Sequence, residues 1–289
     1  MVKKTCMPPN KAPITPNFEL PKNATDAHCH VFGPHEVFPF HPKASYWPPD
    51  NGKEELKKIH EAIGIERAVI VQASCHGIDN RAMMDALANN PDTYRGVCIA
   101  DDSFSRQDFE TLNDGGVCGV RFNFVKHLGG APDLDKMQKV LDKVIPLGWH
   151  LVIHVNAEDL IEYESFFSQL DMPIVVDHMG RVPTDLGVEQ EAFQILKRFV
   201  SNENWWVKVS GAERISKAGP PFEDAIPYAK ELISIAPKRV LWGTDFPHPN
   251  IKTHMPNDGH LVNLLNQYCD TREQLEDILV HNPAKLYNW

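Results

Sequence analysis

Residues 116–124 read GVCGVRFNF and residues 149–156 read WHLVIHVN, and between them lies the amphipathic stretch DLDKMQKVLDKVI at 133–145. Both apolar runs are rich in Val, Ile and aromatic residues and lack a clean polar alternation, which is typical of strands covered on both faces. The stretch between them has helical apolar spacing. Strand, helix and strand in this order imply a parallel sheet with right-handed crossovers.

The same alternation extends over most of the chain. Similar apolar runs lie at 24–31, 67–74, 95–100, 173–180, 205–211 and 239–245. Eight strands with intervening helices in about 250 residues predict a closed (β/α)₈ TIM-type barrel in the α/β class rather than an open doubly wound sheet. No G-x-G-x-x-G motif follows the first run, which disfavours a dinucleotide-binding fold.

The domain organisation is expected to be simple. Residues 1–23 are rich in Pro, Lys and Asn and predict an extended N-terminal arm, while 24–289 form a single barrel domain. The Pro-rich insert PHEVFPFHPKASYWPPD at 34–50 is long for a loop between strand and helix. Long loops of this kind commonly form lids or pocket walls.

Composition excludes several classes of function. The chain of 289 residues has 29 Lys and Arg against 39 Asp and Glu, a formal charge of −10. A chain this acidic, without a basic run, is a poor candidate for binding nucleic acid or an anionic membrane. Its six cysteines are too few and too scattered for a disulfide framework. With no apolar segment after the N-terminal lysines, we expect a cytoplasmic protein.

Polar residues at the ends of the predicted strands are the candidates for chemistry, because active sites of these barrels lie at the carboxyl ends of the strands. His28 and His30 end the first strand and point to the same face. The fifth, sixth and eighth strands end with His154, His178 and Asp245. Imidazoles and a carboxylate converging from four strands predict a divalent metal site, zinc being the ion that suits them.

Three arginines lie at the same predicted rim. Arg121 ends the fourth strand, Arg181 follows His178 and Arg214 follows the seventh strand. Arginine suits bidentate recognition of carboxylates, so these residues predict a pocket for an acidic small molecule.

Five separated motifs also carry a resemblance to a known family. In order along the chain they are DAHCHVFGP, VQASCHG, GVRFNF, VVDHMGR and VLWGTDFPHPN. They resemble the amidohydrolase superfamily, and within it the 2-pyrone-4,6-dicarboxylate lactonase and 4-sulfomuconolactone hydrolase family. The resemblance runs from about residue 24 to the C-terminal NPAKLY and implies a distorted (β/α)₈ barrel that hydrolyses a cyclic ester in the breakdown of aromatic compounds.

The resemblance also implies roles for individual residues. Asp245 takes the place of the general base, with His28, His30 and His178 around the carbonyl. Dicarboxylate lactonases of this family work without metal and have a tyrosine where this chain has His154. Metal-dependent members of the superfamily have a zinc-ligating histidine there, which implies a four-ligand set of His28, His30, His154 and Asp245.

Substrate contacts are implied at Ser74, His76 and Tyr46, and at His127, which replaces a carboxylate-binding arginine of the dicarboxylate lactonases. The expected substrate is a small lactone with two acidic groups. Three alternatives stay open at this point: a metal-dependent non-oxidative decarboxylase, a lactone isomerase, and a catalytically silent protein that binds aromatic-derived diacids.

Overall fold

The computed structural model describes residues 5–289, which contain one sheet of eight parallel strands in chain order. The strands are Thr25–Cys29 (β1), Arg67–Val71 (β2), Tyr94–Cys98 (β3), Val117–Asn123 (β4), His150–His154 (β5), Ile174–Val176 (β6), Trp205–Lys208 (β7) and Val240–Leu241 (β8). Each strand pairs in parallel with the next. The predicted (β/α)₈ barrel is confirmed.

Helices alternate with these strands and cover the outside of the barrel. They are Lys53–Ile63 (α1), Arg81–Ala88 (α2), Arg106–Asp114 (α3), Leu134–Val144 (α4), Leu160–Phe167 (α5), Glu191–Val200 (α6), Ala212–Ile215 (α7), Ile226–Ile235 (α8), Asp258–Tyr268 (α9), Arg272–Glu276 (α10) and Asn282–Tyr287 (α11). Within residues 5–289 no helix is long and apolar enough to cross a membrane.

Two strands are much shorter than the apolar runs that predicted them. β6 ends at Val176 and β8 at Leu241, although the runs extend to 180 and 245. The backbone after each strand leaves the extended conformation, since His178 has a φ of 50° and Asp245 a φ of 62°. These turns aim the two side chains into the barrel mouth instead of continuing the ladder.

The predicted N-terminal arm is only partly described, because its residues 1–4 lie outside the described part of the chain. Residues 6–23 contain no helix or strand. Whether the arm and the barrel behave as the two predicted units stays a prediction.

The barrel closes between β1 and the segment after β8 through backbone hydrogen bonds rather than a regular ladder. Ala27 N donates to Trp242 O at 2.8 Å, and Asp245 N donates to His28 O at 2.8 Å. His30 N donates to Phe246 O at 2.8 Å. The first strand and the last are therefore joined at the residues predicted to carry the chemistry.

A single carboxylate, that of Asp26, reinforces this seam. Its Oδ1 accepts from His28 N and Thr244 N, both at 3.0 Å. Its Oδ2 accepts from Thr244 Oγ1 at 2.6 Å and contacts His60 Nε2 of α1 at 3.1 Å. The side chain is completely buried. Asp26 thus ties together β1, the β8 end and the outer helix layer.

Two apolar layers lie on either side of the strands. The layer inside the barrel contains small aliphatic side chains from the strands, and Tyr287 of α11 packs against them. The larger layer lies between the strands and the surrounding helices. With the barrel interior filled, the carboxyl ends of the strands form the open face where ligands can reach.

Replacing Asp26 with alanine is expected to lower the free energy of unfolding by about 3–5 kcal/mol, because buried donors of His28, His60 and Thr244 lose their acceptor. Urea denaturation followed by circular dichroism measures this change. Asp92→Ala, at an exposed carboxylate, is the matched control. Equal stability of the two variants would contradict the role assigned to Asp26.

Candidate active site

A cavity of about 470 Å³ opens at the carboxyl ends of the strands. The predicted residues that line it are His30, Tyr46, Ser74, Arg121, His127, His154, His178, Arg181, Arg214 and Asp245. His28 lies beneath them and is completely buried. His76 is turned toward the Pro-rich loop, where its Nε2 accepts from Gly33 N at 3.2 Å. The structure thus brings most of the predicted site residues to one cavity. His76 does not line the cavity and instead supports its wall.

Asp245 lies at the centre of the buried imidazoles. Its Oδ1 is 3.2 Å from His30 Nε2 and 3.6 Å from His28 Nε2, and its Oδ2 is 3.9 Å from His178 Nε2. Donor atoms of His28, His178 and Asp245 all lie within 4.8 Å of one another, which makes this trio a candidate metal site. Which of the five predicted residues would bind an ion stays a prediction.

The Nδ1 atoms of His30 and His154 each face a hydrogen-bond acceptor, which fixes the orientation of both rings. His30 Nδ1 donates to Val71 O at 2.7 Å, and His154 Nδ1 lies 3.0 Å from Asn123 Oδ1. Asn123 Nδ2 donates to Ser74 Oγ at 3.3 Å, which orients the amide with its oxygen toward His154. An imidazole that carries its single proton on Nδ1 presents the Nε2 lone pair to the cavity, the arrangement typical of metal-binding histidines.

The carboxyl group of Asp245 is held ionised. Burial raises its pKa, but the charge of Arg214, which lies in hydrogen-bond contact, outweighs burial and holds the pKa well below its usual range. Arg214 Nε and Nη2 donate to Asp245 Oδ2 at 2.9 and 2.6 Å. Asp245 therefore carries a negative charge at neutral pH, with Oδ1 on the histidine side.

The backbone around His178 is unusual. His178, Met179 and Arg181 all have φ values between 50° and 53°, in the left-handed region. A Cβ on Gly211 would lie 2.7 Å from the Cβ of His178, so only glycine allows this approach. His178 Nδ1 is 3.1 Å from Ser210 Oγ. Strain of this kind, kept by close packing, fixes where the imidazole points.

Sequence reasoning missed a buried charge network under His28. Asp177 Oδ1 contacts His28 Nδ1 at 3.1 Å and Lys208 Nζ at 3.0 Å, while its Oδ2 accepts from Arg121 Nε at 3.0 Å. Asp177 and Lys208 are completely buried. Lys208 had a signal in the sequence, because it is the charged residue in the apolar run 205–211. The network orients His28 and uses Arg121 for a protein carboxylate.

Arg181 differs from the other two predicted arginines. Arg121 and Arg214 bind Asp177 and Asp245, whereas no hydrogen bond or ion pair of Arg181 is found among the described residues. Its side chain lines the cavity, and burial together with the charge of Arg214 lowers the pKa of its guanidinium. Lys252, also missed from sequence, lines the same cavity. The mouth of the cavity is therefore cationic in an acidic chain.

His248 supports the turn after β8. Its Nε2 is 3.0 Å from Asp258 Oδ1, and its N donates to Asp245 O at 2.7 Å. Burial lowers its pKa, but Asp258 and Glu213 outweigh this and raise it to about 10. His248 is thus a buried cation that holds the backbone of Asp245.

Known proteins resemble this chain over nearly its whole length. A family model described as Amidohydrolase matches residues 25–289. A 2-pyrone-4,6-dicarboxylate hydrolase of Comamonas testosteroni is 44% identical, over 95% of this chain and 93% of that protein. A 4-sulfomuconolactone hydrolase of Rhizobium radiobacter is 36% identical, over 98% and 95% respectively.

A solved structure agrees with these sequences. It is that of a probable 2-pyrone-4,6-dicarboxylic acid hydrolase of Acinetobacter baumannii with citric acid bound. It has a TM-score of 0.80 and 25% identity, covering 92% of this chain and 100% of that one. The family that the five motifs predicted is confirmed.

The buried neutral imidazoles predict how stability depends on pH. Burial lowers the pKa of His178 to about 4, and that of His150, at the start of β5, to about 3. Because these groups bind protons in the unfolded chain below about pH 6.5 but not in the folded one, the free energy of unfolding falls as pH drops from 6.5 toward 4, by about 1.4 kcal/mol per proton and pH unit. The effect of His248 on stability has the opposite pH dependence. Its raised pKa stabilises the folded protein, and this contribution to the free energy of unfolding is lost as pH rises through about 10.

Urea denaturation at several pH values measures this dependence. His150→Leu removes one of the protons taken up on unfolding, so its slope between pH 6.5 and 4 is expected to be shallower than that of the unmodified protein. His260→Leu, at an exposed histidine of α9, is the control and keeps the full slope. A His150→Leu slope equal to that of the control would contradict the assignment.

Proposed function

Because the chain belongs to the amidohydrolase family, we propose that it hydrolyses an unsaturated lactone with two acidic groups, of the 2-pyrone-4,6-dicarboxylate or 4-sulfomuconolactone type. The observation that carries the proposal is the ionised Asp245 among buried imidazoles, opening onto a cavity with a cationic mouth. The two curated relatives named above act on rings of these types.

Asp245 is placed to accept a proton from the attacking water. Its Oδ2 is occupied by Arg214, so Oδ1 is the oxygen available on the histidine side. The water oxygen bonds to the lactone carbonyl carbon while its proton passes to Asp245. The ring C–O bond then breaks and the proton passes from Asp245 to the leaving oxygen. The new carboxylic acid releases the second proton of the water to the solvent and becomes a carboxylate.

His178 is the group proposed to stabilise the developing oxyanion. The buried ring is neutral at pH 7, because burial lowers its pKa to about 4. When the Ser210 hydroxyl donates to Nδ1, Nε2 carries the proton and can donate to the oxyanion. The left-handed backbone of His178 holds this donor at the cavity wall.

The donor set fits a divalent ion. Within residues 5–289, Nε2 of His28 and Nε2 of His154 are buried without a hydrogen-bond partner. Buried imidazole nitrogens next to a carboxylate suit a divalent cation, which can accept their lone pairs. We propose zinc, held by ligands drawn from His28, His30, His154 and Asp245. When bound, such an ion lowers the pKa of a water molecule toward neutrality.

Substrate recognition is assigned to Arg181 and Lys252, the cavity-lining cations that form no ion pair with a carboxylate of the described residues. Arg181 and Lys252 line the cavity mouth near His127, whose pKa is lowered by burial and by the charges of Arg181, Arg214 and Lys252. An acidic group of the lactone can bind there. Tyr46 and Ser74 supply hydroxyl groups on the opposite wall, and Arg121 acts indirectly through Asp177.

Asp245→Asn keeps the size of the side chain but cannot accept the proton, so kcat for lactone hydrolysis is expected to fall about 10²-fold or more. Base consumption at constant pH measures hydrolysis, while assays for CO₂ and for an isomeric lactone detect decarboxylation or isomerisation. Asp171→Asn, at an exposed carboxylate, is the control. Near-normal turnover by Asp245→Asn would move the base to another residue.

Elemental analysis of the purified protein is expected to find about one zinc ion per chain, because catalytic zinc sites use three protein ligands and leave a position for water, and the proposed set can supply one such site. A strong chelator should abolish turnover, and added zinc should restore it. His154→Tyr should lose bound metal, while His260→Tyr on the surface of α9 retains it. No bound metal, together with turnover indifferent to chelation, would favour the metal-free mechanism.

Arg181→Met is expected to lower kcat/KM for a diacid lactone about ten- to a hundredfold, the value of one charged hydrogen bond, and to leave an uncharged lactone of similar size unaffected. Arg198→Met, which removes a surface pair with Glu164, is the matched control. The comparison uses the pyrone dicarboxylate, 4-sulfomuconolactone and the uncharged ring. An uncharged ring as the best substrate would contradict recognition by free cations.

A further inference from the structure

The N-terminal arm reaches the cavity that the proposed reaction uses. Thr5 and Cys6 line it together with Arg214 and Asn250. Cys6 also packs at the edge of the apolar cluster around Phe40. The arm therefore forms part of the cavity wall, a role that its composition did not indicate.

Contacts of these two residues join two separate loops. Thr5 forms a parallel bridge with Trp47 in the Pro-rich insert, and Cys6 N donates to Trp47 O at 3.1 Å. On the other side, Cys6 Sγ lies 3.9 Å from Asn250 Oδ1 in the loop after β8. Burial raises the pKa of the Cys6 thiol, while Asn250 and the charge of Arg214 act in the opposite direction. The thiol is thus neutral, half-buried and close to the cationic site.

The following residues of the arm are fixed along α9. Ile14 N donates to Asn257 Oδ1 at 3.0 Å, and Asn17 N donates to Asn263 Oδ1 at 2.8 Å. A Cβ on Gly259 would lie 1.9 Å from Ile14 O, so the arm lies directly on the first turn of the helix. Anchoring at both ends holds Thr5 and Cys6 at the mouth.

We propose that residues 5–17 act as a strap that ties the Pro-rich insert to the loop after β8, and that Thr5 and Cys6 limit the size of the ring that enters. The inference rests on the proposed function for the identity of the ring, though not for the position of the strap. A bulky group on Cys6 is then expected to obstruct ligand binding, and a bound ligand to shield the thiol.

The test is alkylation of the full-length protein with N-ethylmaleimide, followed residue by residue with mass spectrometry. Isophthalate, a planar ring with two carboxylates and no ester bond, is the probe ligand. At about ten times its dissociation constant, mass action lowers the free fraction of sites about tenfold, so labelling of Cys6 should slow by about that factor. Cys118 and Cys269, half-buried free thiols outside the cavity lining, are internal controls and should label at unchanged rates.

A second measurement uses Cys6→Trp and Cys6→Ala. Cys6→Trp should raise the dissociation constant of isophthalate, and Cys6→Ala should make ligand binding indifferent to maleimide treatment. Equal Cys6 labelling with and without isophthalate would overturn the strap as a wall of the site, whichever reaction the enzyme catalyses. Protection of Cys6 without any lactone hydrolysis would instead count against the proposed function.

Discussion

The buried carboxylate of Asp26 is the interaction on which the active site depends. It binds the backbone of His28 on β1 and both the backbone and hydroxyl of Thr244 beside Asp245. A barrel must bring its first and last strands together, and here the last strand, β8, has only two residues. The side chain of Asp26 reinforces the backbone hydrogen bonds that close the barrel. It holds the backbone of His28 beside that of Thr244, the neighbour of Asp245, although these residues belong to opposite ends of the chain.

Charge pairing explains how an acidic protein can offer a cationic cavity. Arg121, Lys208 and Arg214 are held by Asp177 and Asp245, so their charges orient histidines and keep Asp245 ionised. Buried ion pairs of this kind add little net stability but fix geometry when every partner is satisfied. Arg181 stands outside the pairing and remains available to an anion. Position relative to the buried carboxylates therefore separates the cations that pair with them from Arg181, to which the proposed function assigns substrate recognition.

The sequence was sufficient for the fold and the family, and most of the residues that it named line one cavity, but it did not indicate how they are connected. Alternating apolar runs and helical stretches predicted the barrel, because they follow from local pattern. The resemblance of five separated motifs predicted the family. Contacts such as Lys208 with Asp177 depend on which face of a short strand turns inward, and no local pattern encodes that. The sequence overestimated the lengths of β6 and β8, because the apolar runs continue past the strand ends at Val176 and Leu241. No local pattern indicated that the backbone turns into the left-handed region at His178 and Asp245. The ligand set and the arm–barrel division stay predictions.

The strap joins Cys6 to Asn250, residues separated by 244 positions, and Asp26 meets Thr244 across 218. During synthesis the ribosome releases the first of these partners long before the second exists. Neither the cavity mouth nor the pair of His30 and Asp245 can form on a nascent chain, because both need residues from its two ends. Contacts of such sequence separation fold slowly. An N-terminal fragment that ends before β8 therefore lacks Asp245 and the part of the cavity wall that residues 249–252 form.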